Sequence, residues 1–202
     1  MELAEEYYQA YQKKYYDDAP TLAVLEKELR GKELLILAPG KSLETQQEAI
    51  RRYMAEKQPV VLAVNVAPEG YAADYLFCAN EKRFSGIQRT AGCTLIVSSN
   101  ITQAADALKI NYSSYLSENA DIADNPTLMV FRLLIALGIP SAAVAGFDGY
   151  GAAAQENYFD KSLSMGSSLS LKLKRNGLIK AEVAALQKQL HITFVTPSKY
   201  TE

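Results

Sequence analysis

Short runs of consecutive apolar residues recur along most of the chain, and segments with helical character separate them. The runs occupy residues 34–38, 60–65, 74–80, 93–99, 142–146 and 192–196. Strands that are apolar without alternation are typical of a sheet covered on both faces, because neither face then meets water. Strands that alternate with helices favour right-handed crossovers and a parallel sheet. The pattern therefore predicts a doubly wound, mostly parallel α/β sheet.

The segments between the apolar runs carry helix signals of unequal strength. Long helices are predicted over 43–57, 125–137 and 169–190, and shorter ones over 81–87 and 102–110. The helix at 125 has an entry signal, because Asn125 can cap it and Pro126 suits a first helical turn. An interruption of the last long helix is expected at Asn176 and Gly177, since glycine weakens a helix interior.

A helical arm is predicted ahead of the sheet. Tyr7, Tyr11 and Tyr15 recur every four residues and give an amphipathic helix an aromatic face. Residues 17–20 end this helix and begin a second, which stops at Gly31. The arm either packs on its own domain or docks onto a partner domain or a second copy of the chain.

The length of 202 residues suits one α/β domain with a helical appendage. We therefore expect the arm to occupy 1–31 and a Rossmann-like domain to occupy 32–202. With 49% apolar residues, the chain has enough material for a substantial core. The formal charge of -2 argues against a nucleic-acid partner. A membrane partner is not expected either, because no apolar run approaches the roughly 20 residues that span a bilayer.

Three residue types bear on location and metal chemistry. The acidic start without an apolar segment predicts no signal peptide. Cys78 and Cys93 lie in apolar runs, and we expect both to be reduced, buried thiols of a cytoplasmic protein. His191 is the single histidine, so a metal site built on several histidines is excluded and no metal is expected. It also opens the last strand, at the edge opposite the strand ends where ligands bind.

The loop after the first strand has the composition of a phosphate-binding turn. Ligands of open parallel sheets bind at the carboxyl ends of the strands. Gly40 permits a close backbone approach there, Lys41 follows it, and Ser42 caps the next helix. The spacing is neither GxxxxGK[ST] nor GxGxxG, so neither of those nucleotide motifs is indicated. An ordinary serine-capped turn explains the same residues and stays an alternative.

Amide side chains close three of the predicted strands. Asn65, Asn80 and Asn100 each follow an apolar run, and Ser99 stands beside the last of them. An amide donates and accepts hydrogen bonds in one place, which suits the edge of a base or the hydroxyls of a sugar. These residues therefore predict a polar, ligand-binding rim. The general preference of asparagine for turns is the alternative.

A long glycine-rich loop follows the strand near residue 145 and is expected to be functional. At its start, Asp148 is a candidate catalytic base, and Gly149 and Tyr150 are candidate ligand-binding residues. A simple Asp-Gly turn would account for the same motif. Lys82 and Arg83, which follow the third strand, are candidates for pairing with a diphosphate or for ordinary solvated charge.

Four segments resemble a known family. LILAPGKSL (35–43), VN (64–65), DYLFCANEKRF (74–84) and TFVTPSKY (193–200) look like the C-terminal domain of bacterial 4-hydroxy-2-oxovalerate aldolase-like proteins, of the pyruvate carboxyltransferase family. In those lyases a metal-dependent TIM-barrel aldolase precedes such a domain. A barrel needs about 250 residues, so the resemblance implies an accessory domain without the catalytic barrel. It also implies such a barrel as a partner.

A more distant resemblance concerns the binding residues. Gly40, Lys41, Ser42, Asn65 and the motif GFDGY (146–150) are similar in kind and order to motifs of bacterial CMP-sialic-acid sialyltransferases and of motility-associated glycosyltransferase-like proteins. This resemblance implies a nucleotide sugar as ligand. It places Gly40 and Ser42 near phosphate and Asn65 near the nucleotide or the sugar.

Three functions are compatible with these residues. The leading prediction is an accessory domain that binds a nucleotide, a nucleotide sugar or another phosphorylated metabolite for an aldolase. The second is a glycosyltransferase-like enzyme that uses a nucleotide sugar, with Asp148 near the reacting centre. The third is a ligand-free docking or oligomerisation domain that acts through the arm.

Overall fold

A seven-stranded parallel sheet organises the protein. The computed structural model describes residues 14–87, 92–151, 157–159 and 168–201. The strands are β1 (Leu34–Leu37), β2 (Val60–Val64), β3 (Tyr75–Cys78), β4 (Thr94–Ser98), β5 (Leu108–Ile110), β6 (Ser141–Ala145) and β7 (His191–Phe194). Their order is β5-β4-β3-β2-β1-β6-β7, and every neighbouring pair is parallel. The predicted doubly wound, Rossmann-like α/β fold is confirmed.

Helices cover the sheet and largely follow the sequence signals. They are α1 (Ala19–Leu29), α2 (Ser42–Thr45), α3 (Gln47–Lys57), α4 (Glu81–Phe84), α5 (Pro126–Ala136) and α6 (Leu169–Leu186), with a 3₁₀ helix at Tyr112–Tyr115. Asn125 caps α5 as predicted, since its side-chain oxygen accepts the Thr127 and Leu128 N–H groups at 3.1 Å each. The expected interruption at Asn176 and Gly177 is wrong, because α6 runs through both residues.

The sequence of β1 is uniformly apolar because the strand is buried on both faces. Leu35 and Leu37 pack with Leu43 and Ile50 of α2 and α3. Ile36 points the other way, into the larger cluster formed with α1, α5 and α6. No residue of β1 is more than 4% exposed. Alternate side chains of this one strand therefore join the sheet to both helical layers.

The helix predicted over 102–110 is wrong, because this segment ends in β5. Leu108 is aligned with Ile96, and Ile110 is aligned with Ser98, in parallel register with β4. Ile110 is completely buried. A strand of three residues is too short to show strand periodicity in a sequence, and the hydrogen bonds offered by the edge of β4 decide its conformation.

The strand order reverses direction at the centre of the sheet. From β1 the chain builds outward through β2, β3, β4 and β5, and it then returns to place β6 and β7 on the other side of β1. Crossovers that leave neighbouring strands in opposite directions open a crevice at the carboxyl ends of those strands. The crevice between β1 and β6 is therefore the expected ligand site of this fold.

The predicted tyrosine-rich helix falls mostly in residues 1–13, which lie outside the described residues. Tyr15 precedes α1 without helical structure and is 76% exposed, so the predicted helix does not reach it. The start of α1 is tied to the end of β5 through Asp18. A carboxylate oxygen of Asp18 accepts the Asn111 N–H at 2.8 Å and the Tyr115 hydroxyl at 3.0 Å. The division of the chain at residue 31 stays a prediction.

Both cysteines are free, with Cys78 buried and Cys93 half-buried. Burial raises the pKa of the Cys78 thiol to about 11, so this thiol is protonated and unreactive at neutral pH. His191 opens β7 as predicted and is exposed. Over the described ranges, no three metal-ligating side chains come together. Within those ranges, no helix has both the length and the apolar character needed to cross a membrane.

Candidate functional site

The turns that follow β1 and β6 touch each other directly. The Gly40 N–H lies 2.8 Å from the Gly146 carbonyl oxygen and 3.0 Å from the Ala38 carbonyl oxygen. A Cβ at Gly40 would lie 2.2 Å from the Gly146 oxygen and 2.5 Å from the Asp148 carboxylate. Glycine is required here because the two backbones leave no room for a side chain. This contact forms the floor of the crevice.

A hydrogen-bonded chain joins the ends of β1, β6 and β7 under this floor. The Asp148 carboxylate accepts the Ser42 N–H at 2.7 Å and the Ser42 hydroxyl at 2.5 Å. The Ser42 and Thr196 hydroxyl oxygens lie 2.9 Å apart, and the Thr196 oxygen accepts the Gly146 N–H at 3.0 Å. The amide end of α2 therefore faces the chain's own carboxylate, at the position where the sequence predicted an external phosphate.

Burial raises the pKa of the Asp148 carboxyl above its usual range. The hydrogen bonds from Ser42 and the positive charge of Lys199 oppose this shift without cancelling it. A raised pKa brings a carboxyl closer to the range in which it can exchange a proton near neutral pH. Asp148 is therefore both a structural acceptor and an acid with a raised pKa beside the crevice.

An open cleft of about 620 Å³ lies above the floor. Six of the ten residues predicted for the site line it, namely Gly40, Asn65, Asn80, Asp148, Gly149 and Tyr150. The ends of β1, β2, β3 and β6 thus converge on one space, as expected for a parallel sheet. The other four predicted residues, Lys41, Ser42, Ser99 and Asn100, do not line it.

The four outlying residues have local partners instead. Ser42 lies beneath the floor with Asp148, and the Lys41 ammonium group pairs with Glu44 on the surface. Ser99 accepts the N–H of Tyr112 at 3.0 Å, and Asn100 donates to the carbonyl oxygen of Ala79 at 2.9 Å. These last two residues follow β4, which is three strands away from β1. They stabilise turns and are not brought to the crevice.

The two asparagines in the cleft differ in their bonding. Asn80 accepts the Arg83 N–H at 3.2 Å and so caps α4, which is the structural role that asparagine often takes. Asn65 has a left-handed backbone, with φ of 67°. Its side-chain oxygen is buried and has no hydrogen-bond partner among the described residues. Of these two asparagines, Asn65 is the one whose side-chain oxygen is buried without a hydrogen-bond partner in the described part of the chain.

Several polar, charged and aromatic residues of the cleft were not expected from the sequence. They are Asp121 and Asp124 from the loop before α5, Asn157 and Tyr158 from the segment after β6, and Arg175 from α6. Residues 124–126 carried a visible signal, which pointed only to a helix cap. Arg175 gave none, because an arginine in a helix next to other cations resembles an ordinary exposed residue.

Asn176 holds the backbone of Tyr150 at the wall of the cleft. Its side-chain oxygen accepts the Tyr150 N–H, and its side-chain nitrogen donates to the Tyr150 carbonyl oxygen, each at 2.8 Å. The Lys199 ammonium donates to the same carbonyl oxygen at 2.8 Å. The rings of Tyr150 and Tyr158 then meet edge to face, with centroids 6.4 Å apart. One amide in α6 therefore fixes the loop that carries Asp148.

We expect Asn176→Ala to lower the free energy of unfolding by about 1–3 kcal/mol, because both polar groups of Tyr150 lose a half-buried partner. Urea unfolding followed by circular dichroism measures this loss. Lys180→Ala, on the exposed side of the same helix, is the matched control and is expected to change stability by less than about 0.5 kcal/mol. Equal effects of the two substitutions would show that the Asn176 contact contributes nothing.

Comparison of the chain with protein-family models, with curated proteins and with solved structures found no match. The aldolase-like and glycosyltransferase-like resemblances therefore stay predictions.

Proposed function

We propose that the cleft between β1 and β6 binds a phosphorylated metabolite of nucleotide size, such as a nucleotide or a nucleotide sugar. The observation that carries the proposal is the convergence of four strand ends on one polar crevice at the reversal of strand order. Its volume of about 620 Å³ lies within the roughly 300–1,000 Å³ of typical small-molecule sites.

Basic residues that line the cleft suit the phosphate. Lys82 and Arg83 come from α4, and Arg175 comes from α6. Burial raises the pKa of the Tyr158 hydroxyl far above its usual range, and the charges of Arg83 and Arg175 oppose that shift. Both guanidinium groups therefore act on the same point of the cleft. Guanidinium and ammonium groups are the side chains that recognise phosphate best.

Acceptor groups in the lining of the cleft suit hydroxyl or amino groups. Asp148 lies beside the floor, and Asn65 and Asp124 line the cleft. Carboxylate and amide oxygens accept hydrogen bonds from sugar hydroxyls and from the amino groups of bases. A ligand that carries both anionic and hydrogen-bond donor groups matches this mixed lining, which favours a nucleotide over inorganic phosphate alone.

The test is a thermal-shift and calorimetry screen with CMP, UDP and their sugar conjugates. A ligand that binds only the folded chain raises the melting temperature with concentration. Lys82→Ala is expected to weaken binding about threefold to tenfold, because an exposed charge near the phosphate is lost. Lys180→Ala, with an exposed lysine outside the cleft, is the control. The absence of any shift with every compound would refute the proposal.

Asp148 supports a second candidate, a glycosyltransferase-like enzyme. Asp148 lines the cleft and its carboxyl has a raised pKa, which is a shift toward the range in which a general base works. Release of free nucleotide from a nucleotide sugar is then expected, with loss of at least about a hundredfold in rate in Asp148→Asn. Binding without turnover would refute the glycosyltransferase-like candidate and leave the proposed binding function unaffected.

The resemblance to aldolase-associated domains supports a further part of the proposal. The cleft would then serve a TIM-barrel aldolase, and the two free cysteines suit the reducing cytoplasm in which such a pair would act. Sedimentation of the chain with a barrel aldolase from the same cells is expected to show a complex. If the two proteins sediment independently at micromolar concentration, the proposed complex with an aldolase is refuted and the proposal of ligand binding is unaffected.

A further inference from the structure

The side-chain oxygen of Asn65 is an unused acceptor at the edge of the cleft. It is buried and has no hydrogen-bond partner among the described residues, although Asn65 itself lines the cleft and is only half-buried. Native proteins satisfy the great majority of buried polar atoms, because an unpaired one keeps its desolvation cost. An exception of this kind in a cleft calls for a partner that comes from outside the chain.

The backbone at Asn65 is fixed, so only the amide group can turn. The Asn65 N–H donates to the Phe77 carbonyl oxygen at 2.8 Å, which extends the pairing of β2 with β3 by one residue. The φ angle of 67° belongs to the left-handed region, which glycine, asparagine and aspartate tolerate best. The terminal torsion of an asparagine has a broad, nearly two-fold profile. Rotation about this torsion turns the amide group without moving the backbone, and the cleft that Asn65 lines is the side from which a partner can approach.

We infer that Asn65 is a specificity-determining residue, whose side-chain oxygen accepts a hydrogen bond from an N–H or O–H group of the bound nucleotide. The inference rests on the proposed function and deepens it, because it states which part of the ligand is read. The donor is either a ribose hydroxyl or the amino group of a base such as cytosine. Inorganic phosphates carry neither group, so Asn65 does not contribute to their binding.

Two substitutions separate the acceptor from the backbone conformation. Asn65→Gly removes the side chain and keeps a residue that adopts positive φ freely, whereas Asn65→Asp keeps an acceptor at the same place. Circular dichroism melting verifies that each variant is folded. The probes are CMP, 2′-deoxy-CMP, UMP and inorganic pyrophosphate, each titrated by calorimetry. Expressing the affinity for CMP relative to pyrophosphate reduces the effect of the added charge of the aspartate, because that charge weakens the binding of both anions.

The expected result is a fivefold to tenfold smaller preference for CMP over pyrophosphate in Asn65→Gly, about the value of one hydrogen bond, with the preference kept in Asn65→Asp. Weaker binding of 2′-deoxy-CMP than of CMP to the natural chain identifies the ribose hydroxyl as donor. Weaker binding of UMP identifies the base amino group.

An unchanged preference for CMP in folded Asn65→Gly overturns the inference and leaves the proposed function standing. Equal weakening of CMP and pyrophosphate in that variant also overturns it, because Asn65 would then act on the anion or on the shape of the cleft. If neither pyrophosphate nor any nucleotide binds the natural chain, the proposed function fails and the inference fails with it.

Discussion

Replacing Gly146 with alanine is expected to destabilise the protein by more than about 4 kcal/mol, a large share of the 5–15 kcal/mol of a typical domain. A Cβ at this position would lie 1.9 Å from the Ala38 carbonyl oxygen and 2.8 Å from the Leu43 side chain. The backbone also has φ of +75°, which disfavours every residue with a Cβ. Neither turn can retreat, because each is the continuation of a central strand.

The control for this substitution is Gly138→Ala. Gly138 has φ of +67°, and a Cβ there would meet nothing within 4 Å. It therefore carries the conformational penalty of about 1–2 kcal/mol without the collision. Urea unfolding of both variants separates the two effects. Similar losses in the two variants would show that the close approach of the β1 and β6 turns is not tight in solution.

Replacing Asp148 with alanine is expected to lower the free energy of unfolding by about 2–4 kcal/mol at neutral pH. The substitution removes the acceptor of the Ser42 N–H in a largely buried place and leaves the Ser42 hydroxyl with Thr196 as its remaining partner. Asp148→Asn keeps one acceptor of the same shape, so its loss is expected to be about half as large. Equal stabilities of all three chains in urea titrations would contradict the role assigned to this carboxylate.

The same carboxyl gives a pH dependence of defined sign. Its pKa in the folded chain is raised above the value of 3.8 for an ordinary aspartate, chiefly by burial. The folded chain therefore holds this proton more tightly than the unfolded chain does. The stability that the protonated group contributes is complete below the unfolded pKa and is lost as the pH rises through the folded pKa.

The comparison that isolates this effect is Asp148→Asn, which cannot titrate at this position. Its stability relative to the natural chain is expected to improve as the pH rises from about 4 into the neutral range, because only the natural chain then buries a charge. Parallel stability curves for the two chains over this range would contradict the raised pKa.

The sheet could be predicted from the sequence because burial on both faces makes each central strand continuously apolar. A strand such as β1 is apolar at every position when helices cover both faces, and this property needs no knowledge of the neighbours. The edge strand β5 lacks that property. Leu108 and Lys109 are only half-buried, and the segment becomes a strand because β4 offers it a hydrogen-bonding edge. A segment of three residues is too short for its sequence pattern to show that it pairs with a distant strand.

Part of the candidate site could also be predicted, because its residues follow the ends of strands. Residues such as Asn65, Asn80 and Asp148 follow strands directly, so the parallel topology alone brings them to one edge. Two features depend on contacts that no local pattern encodes. One is the bond from Ser42 to Asp148, across 106 positions, and the other is the presence of Arg175, from α6, in the lining of the cleft.

The floor of the cleft also constrains the order in which the chain assembles. Ser42 is bonded to residues 106 and 154 positions further along, so β1 cannot complete its turn until β6 and β7 are in place. A contact between such distant positions closes a long loop, which costs conformational entropy, and such contacts tend to form late in folding. During synthesis, the hydrogen bonds that support the floor are therefore complete only after residue 196 has emerged, so the cleft takes its final shape once β1, β6 and β7 have met.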